Sequence, residues 1–261
     1  MSGPEKALEA SGVRKVYTKN GQSLEVVDIA QFTAREGEFI TVIGPSGCGK
    51  STFLHIMGGF IPAESGSIRV YGRSVSGPGP DRGMMFQEFA LFPWKTVAGN
   101  VAWGLEAQGV GPREIEDIVR HYLQMMGLWD FRNHFPAELS GGMKQRVALA
   151  RVLAFDPKVL LMDEPFGALD AQTREVMQEE LTRLWERTGK TIVFVTHDID
   201  EAVYLADRVV VLTARPARVR EEIAIALPRP RDLTIKKSAQ CHEYRNYIWD
   251  LIRAESGYRG R

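Results

Sequence analysis

Gly44-Pro-Ser-Gly-Cys-Gly-Lys50-Ser51-Thr52 is the stretch on which the reading of this chain turns. It matches G-x-x-x-x-G-K-[ST] in full, between an apolar run at 38–43 that reads as a strand and a helical stretch. Gly44, Gly47 and Gly49 let the backbone curl until successive N–H groups, those of Ser46 and Cys48 included, face one anion. The following helix adds its positive end. Lys50 reaches the β- and γ-phosphates, the Ser51 hydroxyl is placed to bind Mg2+, and Thr52 donates to the α-phosphate. Cys48 is a spacer on this reading, and a bulky adduct on its thiol blocks phosphate entry.

The second half of such a site should be a buried strand ending in a carboxylate, and Val159-Leu-Leu-Met-Asp163-Glu164 fits. Asp163 can hold Mg2+ through its waters while Glu164 polarises an attacking water. An apolar strand followed by an acid is common; paired with the loop at Gly44 it defines a nucleoside-triphosphatase. Working outward, 191–195 and 208–212 read as further covered strands, so the fold class is α/β with a largely buried sheet. From about 89 to 154 the patterns turn helical: Ile115, Ile118, Val119, Tyr122 and Met126 recur three or four residues apart. Residues 214–231, with three prolines, read as a connection, and 243–253 as a last helix.

Composition narrows the class. The 261 residues carry 33 basic and 33 acidic side chains, with 44% hydrophobic residues. That excludes disorder and disfavours a dedicated nucleic-acid binder. The densest apolar runs are four residues long, against roughly 20 for a bilayer span. The start, Met-Ser-Gly-Pro-Glu-Lys, has no apolar stretch after it, and two cysteines make no disulfide framework. A cytoplasmic chain is expected. From Arg215 onward 11 Lys/Arg face 6 Asp/Glu, a basic tail that is either a solvated face or a contact for a partner or anionic lipid.

Four further segments carry a family resemblance: Leu139-Ser140-Gly141-Gly142-Met143-Lys144-Gln145-Arg146, Gln87 after Met84-Met85-Phe86, Ala168-Leu169-Asp170, and Thr196-His197-Asp198. In this order, with the loop and the acid pair, they resemble the ATP-binding subunit of ABC transporters from about residue 8 to 212. The resemblance implies a P-loop NTPase (RecA-like) core with an inserted helical signature subdomain and a short C-terminal helical tail. The expected divisions are 1–87 and 156–214 for the two parts of the nucleotide-binding core, 88–155 for the helical subdomain, and 215–261 for the tail.

It also implies roles. Ser140 and Gly142, with Gly141 between them, resemble the signature that binds the γ-phosphate of ATP held by the opposite subunit of a homodimer. Gln87 resembles the residue that touches Mg2+ and the water. Asp170 resembles the link between the two sites, though it can equally be a helix N-cap. His197 resembles the switch histidine that contacts the γ-phosphate and steadies Glu164; with Lys50 and Gln87 these form the expected catalytic set. Tyr17, in Val13-Arg-Lys-Val-Tyr17, resembles the aromatic that stacks on adenine, with plain core as its other reading. ATP and Mg2+ are the implied substrate and metal.

A narrower likeness lies in Phe86-Gln-Glu-Phe-Ala-Leu-Phe-Pro93-Trp94-Lys-Thr-Val-Ala-Gly-Asn100-Val101, in Gly77-Pro-Gly-Pro-Asp81-Arg82-Gly83 and in Leu227-Pro-Arg-Pro-Arg231-Asp232. These resemble the importer group for nitrate, sulfonates and taurine. That likeness implies integral membrane permease subunits as partners, a solute-binding protein indirectly, no nucleic acid, and a peripheral place on the cytoplasmic side of the inner membrane. Phe89, Leu91, Phe92 and Trp94 form either buried core or a groove for a permease helix. The competing reading is a soluble ABC-type ATPase not coupled to a permease.

Overall fold

The computed structural model describes residues 5–19 and 21–255. The very start of the chain, read above as free of a leader, and the last residues of the basic tail, 256–261, lie outside the described residues. In chain order the elements are β1 (Lys6–Lys19), β2 (Gln22–Arg35), β3 (Phe39–Ile43), α1 (Lys50–Gly58), β4 (Ser65–Val70), β5 (Arg73–Ser74) and β6 (Arg82–Met85). Then come α2 (Val97–Ala107), α3 (Pro112–Met125), α4 (Gly141–Leu153), β7 (Val159–Asp163), α5 (Ala171–Thr188) and β8 (Thr191–Val195). α6 (Ile199–Leu205), β9 (Arg208–Leu212), β10 (Val219–Ala224) and α7 (Ala239–Glu255) close the chain.

One sheet has the order β10-β9-β3-β8-β7-β6. Its strands run parallel from β9 to β6, with β10 antiparallel at the edge. β3, β7 and β8 are buried at every position, which is why they read as unbroken apolar runs. A second, antiparallel sheet has the order β2-β1-β4-β5. α1 fills the space between the sheets: Phe53, Leu54 and Met57 share a core with Ile29 and Phe32 of β2 and with Leu161 and Val193 of the parallel sheet. Each such fully buried side chain contributes roughly 1.5–3 kcal/mol, and together they hold the phosphate loop rigidly at the head of α1.

The helical insertion packs onto the parallel sheet. Val101 and Leu105 of α2, Val119 and Leu123 of α3, and Leu149 and Leu153 of α4 share a core that continues into Met162 and Phe194 of the sheet. α4 lies so close to β6 that a Cβ on Gly83 would stand 2.3 Å from Val152 Cγ1.

Two expectations need correction. The stretch 214–231 is not a bare connection, since it contains β10. The tail is therefore not purely helical: β10 pairs with β9, and α7, longer than expected, covers it with Cys241 and Ile248 buried. The antiparallel sheet of the first 75 residues was not foreseen either. Register shifts in β1 at Lys6/Leu8 and Lys15/Val16 break its alternation, so the period-two signal fails along one long strand.

Candidate functional site

The loop 44–49 leaves the carboxyl end of β3 and enters α1 through Gly49, whose φ of 123° is open only to glycine. A Cβ there would also meet Val26 O at 2.6 Å. Lys50 is 5% exposed; its Nζ donates to Gly44 O at 2.9 Å and Pro45 O at 3.1 Å. A cleft of about 560 Å3 opens over the loop, lined by Tyr17, Leu24, Val26, Ser46, Gly47, Gly49, Lys50, Ser51, Thr52, Glu164, His197 and Arg215. Gly44 and Cys48 lie beneath this lining; Cys48 is buried, and burial pushes its thiol above its ordinary range against the pull of Lys50.

The strand order brings the acids to the loop. Asp163 ends β7, buried, and Ser51 Oγ donates to its Oδ1 at 2.8 Å. These two hard oxygen donors beside the cleft fit Mg2+, which takes few protein ligands and leaves the rest to phosphate and water. No cluster of three or more His, Cys, Asp or Glu able to hold a metal occurs among the described residues. Glu164 follows in the left-handed region, at φ 43°, with its N–H bonded to Val195 O at 3.0 Å. Its Oε2 lies 2.8 Å from Nδ1 of His197, just beyond β8.

Tyr17 pairs with Leu24 across the β1–β2 hairpin. The two are 43% and 47% exposed, so they form an apolar wall of the cleft and no part of a core. The remaining expected site residues stand outside this cleft. Gln87 is exposed after β6. Ser140 caps α4, its side chain accepting from Met143 N at 3.3 Å, with Gly141 exposed and Gly142 buried behind it. Asp170 caps α5; the Thr173 hydroxyl at 2.7 Å and N–H at 3.0 Å hold its carboxyl below the usual range. The capping reading of Asp170 thus holds as structure.

The aromatic cluster divides. Phe89 and Leu91 are partly buried against the helical core, while Trp94 is 72% exposed. Phe92 stacks at 5.6 Å from Trp94 and 4.8 Å from Trp103. A second cavity of about 530 Å3 runs along Phe60, Phe86, Phe92, Trp103 and Arg151. Buried Asn100 holds this segment by accepting from Phe92 N at 2.8 Å and donating to the Phe92, Lys95 and Thr96 carbonyls.

Two polar residues at the site, His55 and Arg215, were missed in the sequence, as were Leu24 and Val26 of its apolar wall. His55 stands four residues after Ser51 on α1, so helical spacing could have found it. Its Nε2 is 3.3 Å from Asp163 Oδ2 but out of line for a hydrogen bond, and it has no other partner among the described residues. Arg215 lines the cleft from far along the chain and donates to Gly47 O at 2.8 Å; no local pattern signals that.

Comparison with known proteins follows the same lines. The family model described as ABC transporter matches residues 27–167. A nitrate import ATP-binding protein of Synechocystis sp. is 45% identical, over 94% of this chain and 95% of its own. A bicarbonate transport ATP-binding protein of Synechococcus elongatus is 45% identical, over 96% and 91%. Among solved structures, a dimeric ATP-binding cassette in a post-hydrolysis state, bound to ADP and Pi, superposes with a TM-score of 0.75 at 32% identity, over 85% of this chain and all of that one. No helix among the described residues is long and apolar enough to cross a membrane.

Proposed function

The chain belongs to the ABC transporter family as an ATP-binding, ATP-hydrolysing subunit, and we propose that it powers the import of a small solute: nitrate, a sulfonate, taurine or a related compound. The observation that carries this is the 45% identity, over more than nine-tenths of each chain, to subunits named for nitrate import and bicarbonate transport. Nitrate and bicarbonate are both small oxyanions, and the second widens the group expected from the Pro93-Trp94 segment alone.

In this reading ATP lies with its adenine on Tyr17, its phosphates in the N–H cradle of Gly44, Ser46, Gly47, Cys48 and Gly49, and its distal phosphates on Lys50. Thr52 takes the α-phosphate. Ser51 and Asp163, with Gln87, would hold Mg2+, which would neutralise charge on the distal phosphates. Glu164 orients the attacking water and accepts from it, and His197 steadies that carboxylate while facing the γ-phosphate. Almost all of the rate enhancement comes from such positioning and charge.

The exposed capping end of α4 lies outside the cleft of its own chain, which supports its use in trans. Ser140, Gly141 and Gly142 of one copy close over the nucleotide of another in a head-to-tail homodimer, and Asp170 links the two sites. The solved relative is itself dimeric. Permease subunits are the membrane partners, engaged at the open groove of Phe92 and Trp103, and the chain works peripherally on the cytoplasmic face. The divisions 1–87, 88–155, 156–214 and 215–261 remain the proposed functional units.

The test is reconstitution with the permease in vesicles, measuring ATP-driven uptake of nitrate, bicarbonate, taurine and an alkyl sulfonate. Uptake of one of them that vanishes with Lys50→Ala supports the reading. ATP hydrolysis that no permease alters supports the uncoupled ATPase instead.

A further inference from the structure

Arg215 opens the basic tail, yet it does not behave as tail. The turn that carries it is fixed on three sides. Ala217 N donates to Val26 O at 2.8 Å and Asp28 N to Ala217 O at 3.0 Å, stapling the turn to β2. Thr213 N donates to Arg218 O at 2.9 Å, and Thr213 Oγ1 to Pro216 O at 2.8 Å, closing the turn on itself. Ala214 N donates to Glu255 Oε2 at 3.0 Å, which ties it to the end of α7, and Glu255 also pairs with Arg220. The phosphate loop rests on the same strip, since a Cβ on Gly49 would meet Val26 O and stand 3.2 Å from Ala217 Cβ.

The charge on this turn is unspent. Arg208, Arg218, Arg220 and Arg229 each pair with a carboxylate, whereas Arg215 has no ion pair among the described residues. Its Nε and Nη2 both go to one neutral acceptor, Gly47 O, at 3.3 and 2.8 Å. A guanidinium has five N–H donors in a planar fork, so the rest of it faces the cleft it lines. The turn that carries it is stapled to Val26 through Ala217, and Val26 lines the cleft together with Leu24 and Tyr17, while Lys50 sits at the head of α1.

We propose that Arg215 is a nucleotide-binding residue whose guanidinium bonds the phosphate nearest the ribose, held in place by the Gly47 carbonyl and by the turn stapled to β2 and α7. The assignment rests on the cleft being the ATP site. It gives the cleft a second cation, at the base end of the phosphate chain.

The experiment measures the dissociation constants of ATP, ADP and adenosine over a series of salt concentrations for the parent, Arg215→Ala, Arg215→Lys and Lys50→Ala. A charge-assisted hydrogen bond lost at a half-open site weakens binding about tenfold. Arg215→Ala is therefore expected to weaken ATP and ADP alike, leave adenosine unchanged and flatten the salt dependence, because one phosphate-facing charge is gone. Arg215→Lys recovers part of the loss. Weakening of ATP but not ADP overturns the assignment by moving the contact to the γ-phosphate. Parental constants in Arg215→Ala, or losses with unchanged salt dependence and a lowered melting temperature of the unliganded protein, overturn it as well. If Lys50→Ala also binds ATP at the parental constant, the ATP reading of the cleft itself has failed, and not the assignment alone.

Discussion

Glu164 and His197 meet at 2.8 Å, carboxylate Oε2 to imidazole Nδ1, because each follows the end of one of two adjacent parallel strands. Asp163 is in register with Val195, so the first residue past β7 and the second residue past β8 come to the same corner. The left-handed φ of 43° at Glu164 turns its side chain off the strand direction, a conformation that costs a non-glycine residue roughly 1 kcal/mol. Glu164→Gln keeps the shape and removes the basic oxygen. It is expected to bind ATP as the parent does, to lose at least about a hundredfold in turnover, and to accumulate as an ATP-bound dimer by light scattering. Turnover at the parental rate refutes the role given to this carboxylate.

The Ser51–Asp163 hydrogen bond at 2.8 Å joins the two proposed Mg2+ oxygens. Asp163→Asn is therefore expected to abolish Mg2+-dependent hydrolysis while binding ATP in the presence of a chelator within a few-fold of the parent. Equal loss of both measurements assigns Asp163 to the architecture of the loop instead.

Much of this corner was readable from the sequence because its parts are locally encoded. β3, β7 and β8 are covered on both faces and so consist of apolar residues throughout, and the glycines of the loop follow a fixed spacing. β10 was unreadable for the opposite reason. It is an edge strand with Glu221 and Glu222 in its middle and one buried position, flanked by prolines that signal a connection. Ser140, Gly141, Gly142, Asp170 and Gln87 were recognisable by motif, yet within one chain they do not meet the cleft. The use proposed for Ser140, Gly141 and Gly142 needs a second copy, which no local pattern encodes. Arg215 stands 168 residues from the Gly47 carbonyl it contacts, and only the staples among β2, the turn and α7 bring it there.

Cys48 provides a probe of the loop. Burial pushes its thiol above the ordinary 9.0, so the thiolate is a minor species at pH 7–8 and alkylation is slow. Below that raised value the rate climbs about tenfold per pH unit, since the thiolate is the nucleophile. The folded state favours the neutral thiol, so this group's contribution to stability is complete below pH 9 and is lost as pH rises beyond it. Iodoacetamide is expected to react far faster in denaturant than with the folded protein. The adduct should abolish ATP binding, because Sγ lies 3.2 Å from where a Cβ on Gly44 would stand, under the cradle. Cys48→Ala should be resistant, and an alkylated protein that still binds ATP refutes the crowding argument.

Trp94 offers the sharpest separation of hydrolysis from transport. It is 72% exposed and its ring lies 5.6 Å from that of Phe92, which lines a groove together with Phe86 and Trp103. An indole so placed adds little to the stability of the free subunit, and its burial against a partner is worth a few kcal/mol at most. Phe92 is held more firmly, with its backbone stapled to Asn100 and Arg151 over its ring at 5.6 Å. Trp94→Ala is therefore expected to leave the melting temperature and ATP affinity of the isolated subunit unchanged, while weakening permease binding about tenfold or more. In vesicles it should reduce uptake per ATP hydrolysed. Asn100→Ala, which takes the side-chain partner from the half-buried Phe92 N–H and from the Phe92 and Lys95 carbonyls, should instead loosen the segment and lower the melting temperature. If Trp94→Ala lowers stability as Asn100→Ala does, or leaves permease binding and uptake intact, the groove is core and the docking site lies elsewhere.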